Sequence, residues 1–100
     1  MTYTPPERVS IRNIRQVHAE LLDCVNKRDE VEIDLENSIE IDLSLIQLIE
    51  AARKTAETSG KSISLTRPAN DTVRAALERA GLFDSFTSDD TKFWLHKEKR

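Results

Sequence analysis

The chain has little of what catalysis or cofactor binding asks for. Its 100 residues include a single cysteine, Cys24, so no internal disulfide can form, and a reducing, cytosolic setting is expected. The two histidines, His18 and His96, stand near opposite ends of the chain. With one cysteine they make no clustered ligand set, and no metal or other cofactor is expected. No histidine lies close to Cys24 in sequence to activate it as a nucleophile, so it reads as a structural thiol on a helix. Both glycines, Gly60 and Gly81, fall where helices should end, which leaves no glycine-rich loop to cradle a phosphate. An enzyme is not expected. Charge of one sign is lacking too: the formal net charge is −3 with acids and bases interleaved, and "HKEKR" at the end is too short and mixed to attract nucleic acid. No apolar run approaches the roughly 20 residues of a membrane span. The start, "MTYTPPERVS", has neither the basic lead nor the apolar core of a signal peptide, so direct membrane insertion is not expected.

What is present is periodicity. Residues 1–8, with adjacent Pro5 and Pro6, are expected to be a flexible arm, and Val9-Ser10-Ile11 alternates like a short strand. From Ile14 through Val17, Leu21, Leu22 and Val25 the spacing is that of one helix face, with Asn13 and Gln16 placed as a capping box. Val31, Ile33 and Leu35 alternate with acids as a half-buried strand does, and Ile39 and Ile41 resume the alternation after "ENS". A second helix is expected over Leu45–Ser59, buried along Leu45, Leu48, Ile49, Ala52 and Ala56 and closed by Gly60 in a left-handed turn. Ile63 and Leu65 mark another strand, ended by Pro68. Asn70 or Asp71 should cap a third helix with its stripe on Val73, Ala76, Leu77 and Ala80, stopped by Gly81. In the tail, Phe83 and Phe86 are placed to cover the core, Asp89-Asp90 reads as a turn, and "KFWLH" reads as a final edge strand.

Strands alternating with helices imply right-handed crossovers and parallel pairing. Because the strands alternate rather than being apolar throughout, helices should pack mainly on one face. The expectation is an α/β fold: a single domain over residues 9–100 with a small, mostly parallel sheet.

The stretch "IDLENSIEIDLSLIQLIEAARKTA" from Ile33, then "GKSISLTRP" and "VRAALERAGLF", resembles the STAS domain, the module of sulphate transporters and anti-sigma-factor antagonists. Ile33-Asp34-Leu35 stands where that family has an apolar-Asp-apolar triplet. Asp42 stands at its second acid after a six-residue connection. The Gly-Lys strand start, the Pro-ended strand and the Ala-Gly-Leu that closes the third helix continue the match, over roughly residues 9–86. The resemblance implies a module that binds a protein partner without catalysis. In the signalling reading the partner is a kinase-type regulator in a bacterial sigma-factor, two-component or chemotaxis-type pathway. In the alternative, it is the ATPase of a lipid-transport assembly, served by an MlaB-like small subunit. Either role is cytoplasmic, and neither settles the oligomeric state.

Two positions depart from the pattern or sit beside the departure. In the family the phosphorylated hydroxyl directly follows the second acid; here that residue is Leu43, which has no oxygen to accept a phosphoryl group. The family's glycine is Leu45. Ser44 has two readings: an N-cap forming a box with Gln47, for about 1 kcal/mol of stability, or a displaced phosphorylation site at a helix N-terminus. Leu43 also has two: a staple beneath the helix start, packed near Leu48, or an apolar knob at the centre of a partner-binding surface. That surface is expected to comprise Asp42, Leu43, Ser44, Gln47 and Glu50, with Glu50 and Lys54 spaced as a solvated pair.

Overall fold

Val31 and Ile33 are buried while the alternating Glu30 and Glu32 face solvent, and this two-residue period marks Glu30–Ile33 as the central strand of the main sheet. In the computed structural model, which describes residues 1–97, this strand (β3) lies between β1 (Thr2–Tyr3) and β5 (Ser62–Leu65). Both pairings are parallel, with Tyr3 opposite Ile33, and Val31 and Ile33 opposite Ile63 and Leu65. A second, two-stranded parallel sheet joins β2 (Arg8–Val9) to β4 (Glu40–Ile41). Parallel strands cannot be joined by tight hairpins. The crossovers here are carried by helices α1 (Ile14–Lys27) and α2 (Leu43–Thr58), and α3 (Asp71–Arg79) follows the last strand and packs on α2 and β4. The architecture is α/β with small parallel sheets, as the alternation implies.

The core is the inward stripe of each element. Val9, Val17, Leu21, Ile33, Leu45, Ile46, Ile49, Val73, Leu77 and Trp94 are almost wholly buried. Burying each such side chain contributes about 1.5–3 kcal/mol against the cost of ordering the chain. Gly60 and Gly81, at φ +70° and +69°, each sit just past a helix end. In both, the glycine amide and the next amide return to the helix: Gly60 to Glu57 and Lys61 to Ala56, Gly81 to Glu78 and Leu82 to Leu77. The left-handed turn that makes these bonds possible is the reason glycine stands there. Asn70, of the two candidates, caps α3 by accepting from the Val73 amide at 3.0 Å.

Four expectations differ from the structure. The first eight residues, expected as an arm, contain β1, with the Tyr3 hydroxyl donating to Glu20 Oε1 at 2.7 Å, and the first residue of β2. Burial of the Tyr3 phenol and that hydrogen bond push its pKa up. Asn13 occupies the N-cap position of α1 but makes no side-chain cap. Its Oδ1 accepts from the Ser10 amide and its Nδ2 donates to the Arg8 carbonyl, closing the β2–α1 turn, while Gln16 donates to Glu20. The strand through Val9 stops there, so Ile11 is left in the turn.

Lastly, the segment expected as an edge strand is a helix, α4 (Ser88–Leu95), preceded by a 3-10 turn over Phe83–Ser85. Thr87 and Asp90 form a reciprocal capping box: the Asp90 amide donates to Thr87 Oγ1 at 3.1 Å and the Thr87 amide donates to Asp90 Oδ2 at 3.0 Å. Asp90 is therefore the third residue of a helix, where a turn had been expected. The carboxyl of Asp90 is pushed up by burial, but bonds from Thr87 and Arg53 outweigh this and hold it below the usual aspartate value. Phe93 and Trp94 then pack into the core, and Phe86 is buried with Phe83 beside it, ring centroids 5.2 Å apart.

Thr87→Ala should lower the unfolding free energy by about 0.5–2 kcal/mol through loss of the box, read as a shift in the urea midpoint of Trp94 fluorescence. An unchanged midpoint would mean that α4 is held by packing alone.

Candidate functional site

A two-residue strand gives little purchase by itself, and at the end of β4 a side chain takes over. Asp42 is the N-cap of α2, extended at φ −119°, ψ −175°. Its Oδ1 accepts from the Ser44 amide at 2.9 Å and also from the Ser44 hydroxyl. Its Oδ2 accepts from the Ile11 amide at 3.2 Å, across from the β2–α1 turn. One carboxylate thus joins the start of α2 to a loop 31 residues earlier in the chain. Burial raises the Asp42 pKa, but hydrogen bonds from Ser44 (hydroxyl and amide) and from the Ile11 and Leu45 amides more than offset this and hold it below the ordinary aspartate value.

This geometry corrects the expected cap. Asp42 caps the helix, Leu43 is its first residue, and Ser44 is the second, its hydroxyl donating to the cap instead of receiving a backbone amide. The aspartate wins because it directly follows the strand end, two positions before Ser44, and carries a full charge facing the helix dipole. With Leu43 inside the helix rather than before the cap, the staple is not formed, and Leu43 is 48% exposed.

Gln47 lies exposed one turn beyond Leu43. Glu50 follows on the same stripe, but its carboxylate turns to α4: Oε1 accepts from Trp94 Nε1 at 2.9 Å and Arg53 Nη1 at 3.0 Å. The expected pair with Lys54 is replaced by this tie. Arg53 also reaches Asp90 at 2.9 Å and lies over the Phe93 ring, 4.3 Å from its centroid. Asp42, Leu43 and Ser44 therefore form one corner with Gln47 beside it, while Glu50 is engaged in holding α4.

Ile11 belongs to the same corner and is not legible from the sequence: the alternation Val9-Ser10-Ile11 would bury it, whereas it is 78% exposed. Arg79 reaches the corner from α3, donating Nη2 to the Ile41 carbonyl at 3.3 Å. An open groove of about 960 Å³ lies elsewhere, between the later turns of α2, β5 and the start of α4, and includes none of Asp42, Leu43 or Ser44. Among the described residues, no three histidine, cysteine, aspartate or glutamate side chains gather as a metal site. Nor is any of the described helices long and apolar enough to cross a membrane.

A family model described as "Mlab, STAS domain" matches residues 7–87, which takes in both sheets from β2 onward, α1 to α3 and the Asp42 junction. Searches of curated proteins and of solved structures found no match.

Two outcomes test the junction. Asp42→Ala should cost about 0.5–2 kcal/mol of stability, and Ser44→Ala less, because the backbone cap survives it; a larger loss in the serine variant would reverse the assignment. The acid side of the stability profile is also set here. A carboxyl depressed in the folded state contributes stability that is full above its unfolded pKa, about 3.9, and fades as pH falls through the lower folded value. Asp42→Asn keeps a capping oxygen but no titration, so its urea midpoint should fall less between pH 5 and pH 2 than that of the wild type. Equal falls would show that Asp42 is not among the groups responsible.

Proposed function

This chain belongs to the STAS domain family, and we propose that it works as a non-catalytic, anti-sigma-factor-antagonist-like module in a bacterial signalling pathway of the sigma-factor, two-component or chemotaxis type. The observation that carries the reading is the corner around Asp42, where the α2 start offers an exposed leucine in place of a hydroxyl. Its partner is a kinase-type regulator in the cytoplasm, docking on Asp42, Leu43, Ser44 and the exposed face of α2 at Gln47, with Glu50 at the margin. Leu43 is the apolar anchor, ringed by polar groups that shield it from water once the partner is bound.

The family's phosphorylation switch is absent in this reading. Leu43 cannot accept a phosphoryl group, and the Ser44 hydroxyl is engaged by a carboxylate. A phosphate on Ser44 would place about −1.5 to −2 charges against Asp42, which opposes rather than assists the transfer.

The wording of the matching family description favours a second reading, a small MlaB-like subunit bound to the ATPase of a lipid-transport assembly. Neighbouring genes separate the two: a serine or histidine kinase supports signalling, an ATPase with a permease supports transport.

Leu43→Glu should retain the wild-type melting curve and weaken partner binding by about 1–2 kcal/mol or more, measured by calorimetry against the purified partner. Wild-type affinity in that variant would place the interface elsewhere. Incubation with an anti-sigma-type serine kinase should leave the intact mass unchanged; stoichiometric phosphate mapped to Ser44 would restore a displaced switch.

A further inference from the structure

Exposed apolar side chains and arginines that make no ion pair among the described residues lie near the Asp42 junction. Ile11 is 78% exposed and Leu43 48%. They flank one carboxylate, since the Ile11 amide donates to Asp42 Oδ2 and Leu43 follows Asp42 in the chain. A single exposed leucine needs no explanation. Two large apolar residues are exposed on either side of a helix cap, with arginines close by. Arg12 adjoins Ile11 in the turn closed by the Asn13 amide and Ser10 carbonyl, Arg15 lies in the first turn of α1, and both are exposed. Arg79 holds its guanidinium at the Ile41 carbonyl, beside the peptide that leads into Asp42.

None of these arginines makes an ion pair among the described residues, whereas Arg8, Arg53 and Arg67 are each paired with a carboxylate. The Asp42 oxygens are already bonded by Ser44 and Ile11, and Glu40 is bound to Arg8. On a chain of formal net charge −3, these three arginines are without an ion pair among the described residues. Arginine is also the side chain best matched to a carboxylate, through two parallel hydrogen bonds.

Resting on the interface proposed above, we infer that Ile11 and Leu43 form a two-point apolar anchor for a partner segment that presents apolar side chains flanked by aspartate or glutamate. Arg12, Arg15 and Arg79 meet the acids. The apolar pair supplies most of the affinity, and the arginines select the partner by charge and speed its approach.

Two synthetic amphipathic peptides test this, each with two leucines one helical turn apart, one flanked by glutamates and the other by lysines. Each is titrated into the ¹⁵N-labelled full chain and followed by NMR. The glutamate peptide should shift the amides of Ile11, Arg12, Leu43 and Ser44, and the lysine peptide should not. Added salt should weaken the binding. Ile11→Ser, and Arg12→Glu combined with Arg15→Glu, should each weaken it by about tenfold or more. Ile39→Ser, exposed at the opposite end of β4, should leave it unchanged. Equal binding of both peptides, or none by the glutamate peptide, overturns the inference. If Leu43→Glu weakens binding while the Ile11 and arginine variants do not, the α2 interface stands and the acidic two-point anchor fails. Shifts confined to another surface overturn both.

Discussion

The Asp42 carboxylate meets two demands that the fold makes at one point. A helix begins with four amides that have no partner inside it, and the turn between β2 and α1 must be held against the strand it follows. Asp42 accepts from Ser44 on one side and from Ile11 on the other, so the start of α2 and the β2–α1 turn share a single anchor. With β2 and β4 only two residues each, the ladder between them is short, and this side chain continues the connection beyond it. The positions of Ile11, Leu43 and Ser44 all follow from that arrangement.

The middle of α2 is organised by a different cluster. Glu50 accepts from the indole of Trp94, Arg53 bridges Glu50 and Asp90, and the guanidinium covers Phe93. An exposed ion pair alone contributes about 0–1 kcal/mol. Here Arg53 is largely buried and paired with Glu50, which accepts from a fully buried tryptophan, so the charges fix where α4 lies while apolar burial supplies most of the stability. A cation does similar work at the end of α1, where Lys61 Nζ donates to the carbonyls of Val25 at 2.6 Å and Asn26 at 3.1 Å. Helix α2 is therefore held at its start by Asp42 and the buried Leu45 and Ile46, and in its middle by Glu50 and Arg53, while Leu43 in its first turn stays half exposed.

Much of the fold is legible in the residues because it rests on local periodicity and local backbone chemistry. The alternation at Val31 and Ile33, the helical stripe through Val17, Leu21 and Val25, and the two glycines past helix ends each state their structure within a few positions. The tail is the exception. In "TSDDTKFWL" the capping box Thr87–Asp90 was available as a signal, but the adjacent aromatics have high strand propensity, and a short segment carries too few periods to separate helix from strand. Burial of Trp94 against α2 decided it.

The sequence by itself determined the α/β class, the places where α2 and α3 stop, and the absence of a hydroxyl at Leu43, because each depends on residue type or on neighbours a few positions away. Tertiary structure decided which of two nearby polar residues, Asp42 or Ser44, caps α2, since Asp42 gains a second donor from Ile11 that no local pattern shows. It turned Glu50 from a surface pair toward Trp94, through a contact 44 residues away in the chain. It also left Ile11 in solvent, because β2 ends at Val9 and Asn13 closes the turn on Arg8 and Ser10. Exposure of an apolar side chain is set by what packs over it, and the described residues leave Ile11 78% and Leu43 48% exposed.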